Sequence, residues 1–140
     1  MSLAMSIEER QAFLADLHVG IVSIPRNGQA PLTVPIWYDY TPGGKLWMLT
    51  QAGSKKGKAL LECKRITLCA QVESLPYKYV SVEGEFEITE STHDIGLKMA
   101  VRYLGEEAGK QYSESSTGEQ SVLISFIPDK WLTVDYSKTV

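Results

Sequence analysis

The chain reads as a mainly β protein with peripheral helices (α+β), its strands forming a six-stranded antiparallel barrel. Three observations predict this class. Apolar and polar residues alternate with period two in short stretches, most plainly over residues 32–40 and 80–89. The turn sequences Asn27-Gly28, Pro42-Gly43-Gly44 and Pro128-Asp129 punctuate those stretches. Few helices accompany the strands, which argues for a small closed barrel over a sandwich with two open faces.

Taken in order, Ser6 and Glu9 form a Ser-x-x-Glu capping box, and Ile7, Phe13, Leu14 and Leu17 follow at near-helical spacing. This predicts an amphipathic helix over one mouth or side of the barrel. Residues 19–25 are short, β-branched and apolar on both faces, so they read as a buried strand. After Asn27-Gly28, a half-buried strand carries Leu32, Val34, Ile36, Tyr38 and Tyr40 on one face, with Thr33, Pro35, Trp37 and Asp39 on the other. A third strand over 45–50 leads into a lysine-rich loop and a short helix, and a fourth spans 66–72. In the fifth, Val80, Val82, Phe86 and Ile88 share a face with Gly84. A glycine there predicts close packing or a bulge more than a ligand. Ser91 or Thr92 caps a helix through Ile95, Met99 and Tyr103 that stops at Leu104-Gly105, and a second short helix covers 106–112. Residues 113–118 read as a surface loop, 121–127 as the last strand, and Pro128-Asp129 turns into a closing segment with Trp131 and Asp135. Residues 1–5 are set aside as a cloning remnant or disordered start, ahead of a single domain over 6–140.

A chain of 140 residues with 44% hydrophobic content can bury a real core. Its net charge of −3 speaks against general nucleic-acid binding, even with aromatics beside lysines. Yet Lys55, Lys56, Lys58, Lys64 and Arg65, five of the 14 basic residues, cluster with only Glu62 against them. Such a concentration in an acidic chain predicts a local anion site. Cys63 and Cys69 have neither a disulfide-framework nor a metal-ligand pattern, which suits a reducing, cytoplasmic setting. Apolar runs are too short for a membrane span, and no signal-peptide core is visible.

The anion site is predicted at Thr50-Gln-Ala-Gly-Ser-Lys-Lys-Gly-Lys-Ala-Leu-Leu61. Ser54 is a good N-cap, and Lys55, Lys56 and Lys58 follow at a helix start that is already electropositive. Ammonium groups are disfavoured there unless an anion sits among them. Free amides, the Thr50 and Ser54 hydroxyls and the lysines could together hold a phosphate. A merely solvated lysine-rich helix start is the alternative.

The run Thr50, Ser54, Lys55, Lys56, Gly57, Leu60 resembles the Thr-x-x-x-Ser-Arg-Lys-Gly-x-x-Leu signature of pyridoxamine 5'-phosphate oxidases and their split-barrel relatives. Lys55 stands where the signature has arginine, which supplies a point charge in place of a bidentate fork. Arg102-Tyr103-Leu104-Gly105, Pro76 to Val80 and Val82-Glu83-Gly84 are similar to the subgroup that includes deazaflavin-dependent reductases. The resemblance implies a split barrel, a homodimer with the cofactor at the subunit interface, and FMN or coenzyme F-420 as that cofactor. It implies phosphate binding by Thr50, Ser54, Lys55 and Lys56, with Lys58 nearby. Ring contacts are implied around Pro35, Ile36 and Trp37 and along 46–50, with Trp47, Tyr77 and Tyr79 as further candidates. The arginine-rich C-terminal substrate segment of the true oxidases is missing, as is the upstream arginine on the FMN phosphate.

Hydrolytic chemistry finds little support, since His18 and His93 are the only imidazoles available as a base. Neither a catalytic residue nor a metal site is assigned. Hydride transfer asks less of the protein, because a flavin brings its own reactive atom. The sequence thus predicts a flavin- or deazaflavin-dependent oxidoreductase acting on a small organic molecule. The alternative is a non-enzymatic binder or sensor of flavin or haem.

Overall fold

The computed structural model describes residues 2–115 and 121–139. Helix α1 (Ile7–Ala15) leads into β1 (Val19–Arg26), β2 (Gln29–Tyr40) and β3 (Leu46–Gln51). Helix α2 (Lys55–Leu60) crosses to β4 (Arg65–Val72) and β5 (Lys78–Glu85). Strand β6 (Glu87–Glu90) precedes α3 (His93–Leu104) and α4 (Glu106–Ser115), and β7 (Ser121–Phe126) and β8 (Lys130–Asp135) follow. All pairings are antiparallel, in the order β6-β7-β3-β2-β1-β4-β5-β8. Strands β5 and β6 are consecutive in the chain yet lie toward opposite ends of that order, so the sheet curls until its ends meet near Phe86.

Eight strands form where six are predicted. The period-two pattern of 80–89 runs through unbroken, but Phe86 leaves the ladder and donates its N–H to the Lys64 carbonyl at 3.1 Å. Upstream residues pair with β4 and β8, downstream ones with β7. Ile88, expected on the buried face, is 38% exposed. The other addition is β8, because the closing segment pairs with β5 from Lys130 to Asp135. Periodicity reports which face a residue takes, and says nothing of which partner its backbone chooses.

The inner face packs Val22, Ile24, Tyr38, Leu46, Met48, Ile66, Leu68, Val80, Val82, Ile124 and Phe126 into one core. Each such side chain contributes on the order of 1.5–3 kcal/mol through burial. A Cβ on Gly84 would sit 2.6 Å from the Phe126 ring and 2.8 Å from the Ile127 carbonyl oxygen, so the glycine serves close packing. Strand β1 is not buried on both faces: Val22 and Ile24 point inward, while Val19 is 53% exposed. In α1 the capping box forms, with Ser6 Oγ accepting from Glu9 N–H at 3.1 Å and Glu9 accepting from Ser6 N–H at 2.7 Å. The helix ends before Leu17, which is exposed along with Ile7, so Leu14 alone is fully buried.

Residues 3–5 run along β8. Leu3 accepts from Asp135 N–H at 2.8 Å, and Met5 donates its N–H to Thr133 Oγ1 at 2.9 Å and joins the core. Part of the stretch set aside before residue 6 is therefore docked on the barrel. Of the expected loop over 113–118, residues 113–115 complete α4, and the rest lies outside the described residues.

Arg102 and Tyr103 close a seam. Strand β2 pairs with β1 up to Trp37 and with β3 from Tyr38 onward. At Tyr38 the helix replaces the lost ladder bonds: Tyr38 N–H donates to Tyr103 Oη and Arg102 Nε donates to the Tyr38 carbonyl, both at 3.0 Å. Tyr103 Oη also lies 2.6 Å from the His18 carbonyl oxygen. Arg102 further reaches the Ala15 and Asp16 carbonyls at 3.2 Å and Asp39 at 3.4 Å. This fixes α3 against the sheet, and with it the wall of the cavity below.

Candidate functional site

A cavity of about 780 Å³ opens between the α2 loop, β2 and β3 where their pairing ends, and α3 with α4. Its volume suits a cofactor-sized ligand. Of the eight residues assigned to the cofactor by number, five border it: Ile36, Trp37, Thr50, Ser54 and Lys56. Pro35, Lys55 and Lys58 do not. The reason is local geometry. Pro35 is exposed opposite Ile21, beyond the cavity's edge, while Lys55 and Lys58 point to solvent from α2, where Gly57, Ala59 and Leu60 are the buried residues.

The α2 loop is held tightly. Ser54 Oγ accepts from Gly57 N–H at 3.1 Å, donates to the Gln51 carbonyl at 2.7 Å, and lies 3.3 Å from Thr50 Oγ1. Ser54 is thus the helix cap as predicted, with its own proton already committed. A Cβ on Gly57 would strike the carbonyl oxygens of Gln51 and Ala52, the latter at 2.5 Å, so only glycine lets the helix fold back onto the loop. Because α2 is six residues long, its dipole is weak, and the charge at the site comes mainly from Lys56. Lys56 makes no ion pair among the described residues.

The opposite wall was not legible as a site. Thr92, His93, Gly96, Met99 and Ala100 from α3 and Tyr112 from α4 border the cavity. The three-to-four spacing of the α3 residues was a readable signal for a shared face, but nothing in the sequence told which surface that face would meet. Trp37 stacks on Tyr103 with ring centroids 4.9 Å apart and planes within 5°, and Tyr112 tilts against it at 5.6 Å. Burial pushes the Tyr103 hydroxyl above the usual tyrosine range, so it stays a neutral hydrogen-bonding group. His18 is elsewhere, stacked on Phe13 with Nε2 at 3.0 Å from the Phe13 carbonyl oxygen. Trp47 borders a separate, smaller cavity of about 320 Å³ with Ile95 and Leu123.

The donor set suits an anion bearing an aromatic ring. Among the described residues, seven serines and threonines, Lys56 and His93 border the cavity and no carboxylate does. Trp37 supplies an aromatic surface beside them. No group of three His, Cys, Asp or Glu is placed to hold a metal ion among the described residues, and no described helix is long and apolar enough to cross a membrane.

Comparisons with known proteins give the fold a context. A conserved hypothetical protein from Mycobacterium tuberculosis is 22% identical, with a TM-score of 0.78 over 96% of this chain and 87% of the other. A solved F420 reductase is 20% identical, with a TM-score of 0.71 over 87% and 94% of the two chains. A FAD-binding protein from Mesorhizobium loti is 18% identical, with a TM-score of 0.68 over 93% and 94%. At these identities the likeness is one of fold, the curled antiparallel sheet with helices. No curated protein sequence matches the chain. Residues 6–135 match the model of the pyridoxamine 5'-phosphate oxidase family, and the chain belongs to that flavin-binding split-barrel family.

Proposed function

We propose that this protein is an oxidoreductase that binds FMN or the deazaflavin coenzyme F-420 in the 780 Å³ cavity. The observation that carries the reading is the junction of Thr50 and Lys56 with Trp37 in one cavity that no carboxylate of the described residues borders. Lys56 attracts the cofactor phosphate, the Thr50 hydroxyl hydrogen-bonds it, and Ser54 holds the loop that presents both. Lys55 and Lys58 add to the local potential from outside the cavity. The ring lies along β2 at Ile36 and Trp37. When bound, the cofactor supplies the hydride chemistry, so the protein's part is to bind, orient and limit water. The family and the structure named as an F420 reductase support this reading.

The functional unit in this proposal is a homodimer. Pro35, Ile21, Cys69, Ser81 and Leu132 stand in register as one row across β2, β1, β4, β5 and β8, and Leu132 is 61% exposed. Trp37 stands on the same outer face opposite Val19, so a second copy seated there would border the cavity. A non-enzymatic role in flavin or haem binding is the second reading, favoured by the fold likeness to a FAD and haem binding protein from Mycobacterium smegmatis, 16% identical with a TM-score of 0.66.

Absorbance and mass spectrometry of the natively purified protein test the first step, with a bound flavin or deazaflavin expected. Steady turnover with a reductant and a small acceptor supports the enzyme over the carrier. A colourless protein that takes up neither cofactor on titration refutes both.

A further inference from the structure

Helix α3 separates two cavities. His93, Gly96, Met99 and Ala100 border the larger one, while Ile95 and Lys98 border the separate cavity of about 320 Å³. Strands β3, β7 and β6 form the floor of the smaller cavity, with Trp47, Ser125 and Glu87 in one register row and Leu123 two residues along β7. Both walls are fixed, since the floor is a continuous ladder and the Arg102–Tyr103 seam pins the far end of α3. A site formed before its ligand arrives loses less entropy on binding.

Three features of the smaller cavity point to one kind of ligand. Trp47, Ile95 and Leu123 are half-buried there and make an apolar surface on which a flat ring can lie. Ser125 is only 7% exposed and borders the cavity, and its hydroxyl makes no hydrogen bond among the described residues. Buried polar groups are nearly always hydrogen-bonded, so this hydroxyl finds its partner in whatever fills the cavity. The charged groups on the rim are Lys45, Lys98 and Glu87, a net positive set. Lys45 lies 3.8 Å from Glu87, whereas Lys98 makes no ion pair among the described residues, with Asp94 one turn earlier included.

We propose that the smaller cavity is a second binding site, for a small planar aromatic carboxylate. The ring lies on Trp47 with Ile95 and Leu123 beside it, and Lys98 and Ser125 are the groups that take the carboxylate. None of these residues borders the larger cavity, so the site stands whether or not a flavin binds there.

The test is a calorimetric titration of the purified protein with 2-naphthoate at neutral pH, followed in parallel by the tryptophan indole N–H signals in NMR, with Trp47 assigned from W47F. Binding is expected at a dissociation constant of about 1 mM or below, with the Trp47 signal moving and those of Trp37 and Trp131 still. Neutral 2-naphthamide should bind about fivefold more weakly. K98E, at an exposed position, should weaken 2-naphthoate about tenfold, S125A about threefold, and K56A on the larger cavity less than about twofold. No uptake of 2-naphthoate at about 5 mM, equal affinity for the amide, or a loss in K56A with K98E unchanged overturns the site and leaves water as the partner of Ser125.

Discussion

The Arg102–Tyr103 seam and the α2 loop are both places where a helix brings polar groups to the side of a strand, and they end differently. At the seam the groups are consumed: Arg102 reaches three carbonyls and Asp39, and Tyr103 Oη ties the Tyr38 backbone to His18. At the loop, Ser54 and Gly57 are consumed in the same way, but Lys56 faces a cavity with no acidic partner among the described residues. A satisfied polar cluster stabilises a fold. One left open toward a concave surface is available to a ligand, because its attraction has not been spent internally.

Substitutions at the two regions should therefore fail differently. The largest effect is expected for R102A, which strands the Ala15 and Asp16 carbonyls and half-buried Asp39 together. It should cost about 3 kcal/mol of stability in urea denaturation. A loss under about 1 kcal/mol would mean the seam is dispensable. G57A comes next, since its Cβ collides with two backbone oxygens that cannot move without opening the loop. About 2 kcal/mol of destabilisation and loss of cofactor binding should appear together, by thermal melting and fluorescence titration. K56A should leave the melting temperature nearly unchanged and weaken cofactor binding by about 2 kcal/mol. K55A and K58A should each weaken it by less than about 0.5 kcal/mol, the scale of an exposed charge. Equal losses from all three would erase the distinction drawn between the lysine that borders the cavity and the two that do not.

The smallest effect concerns acid. Lys138, hydrogen bonded at 2.7 Å, together with the Ser6 N–H, holds Glu9 down to about 2. The Arg65 guanidinium lowers Asp129, and the Ser137 hydroxyl and N–H lower Asp135. Carboxyls depressed in the folded state contribute stability that is complete above their unfolded range and is lost as pH falls through it toward about 2. Melting temperature should fall steadily below about pH 4.5, and E9Q should reduce that slope. A profile in E9Q superimposable on the parent would show that this cap contributes nothing measurable.

Much of the fold could be read locally. The helix caps at Ser6, Ser54 and Thr92, the last one of two candidates, and the turn at Asn27-Gly28 appear where the sequence places them, because each is decided within four residues. Phe86 escaped that logic. Its parity matches Val82 and Ile88, and only the Lys64 carbonyl, 22 positions away, draws it from one sheet end toward the other. Of the site, the Thr50–Gly57 side was legible as a motif of contiguous residues. Tyr112 was not, since nothing near it in the chain marks it for Trp37.

The sequence by itself determined the helix caps, the hairpins, the alternating core faces and the loop that gathers lysines, since each depends on neighbours a few bonds apart. Only the tertiary structure decided that Lys56 would border the cavity while Lys55 and Lys58 would not, and that α3 and α4 would wall it. Those outcomes depend on how a whole sheet curls and where a helix is pinned to it, and contacts over such separations leave no local signature.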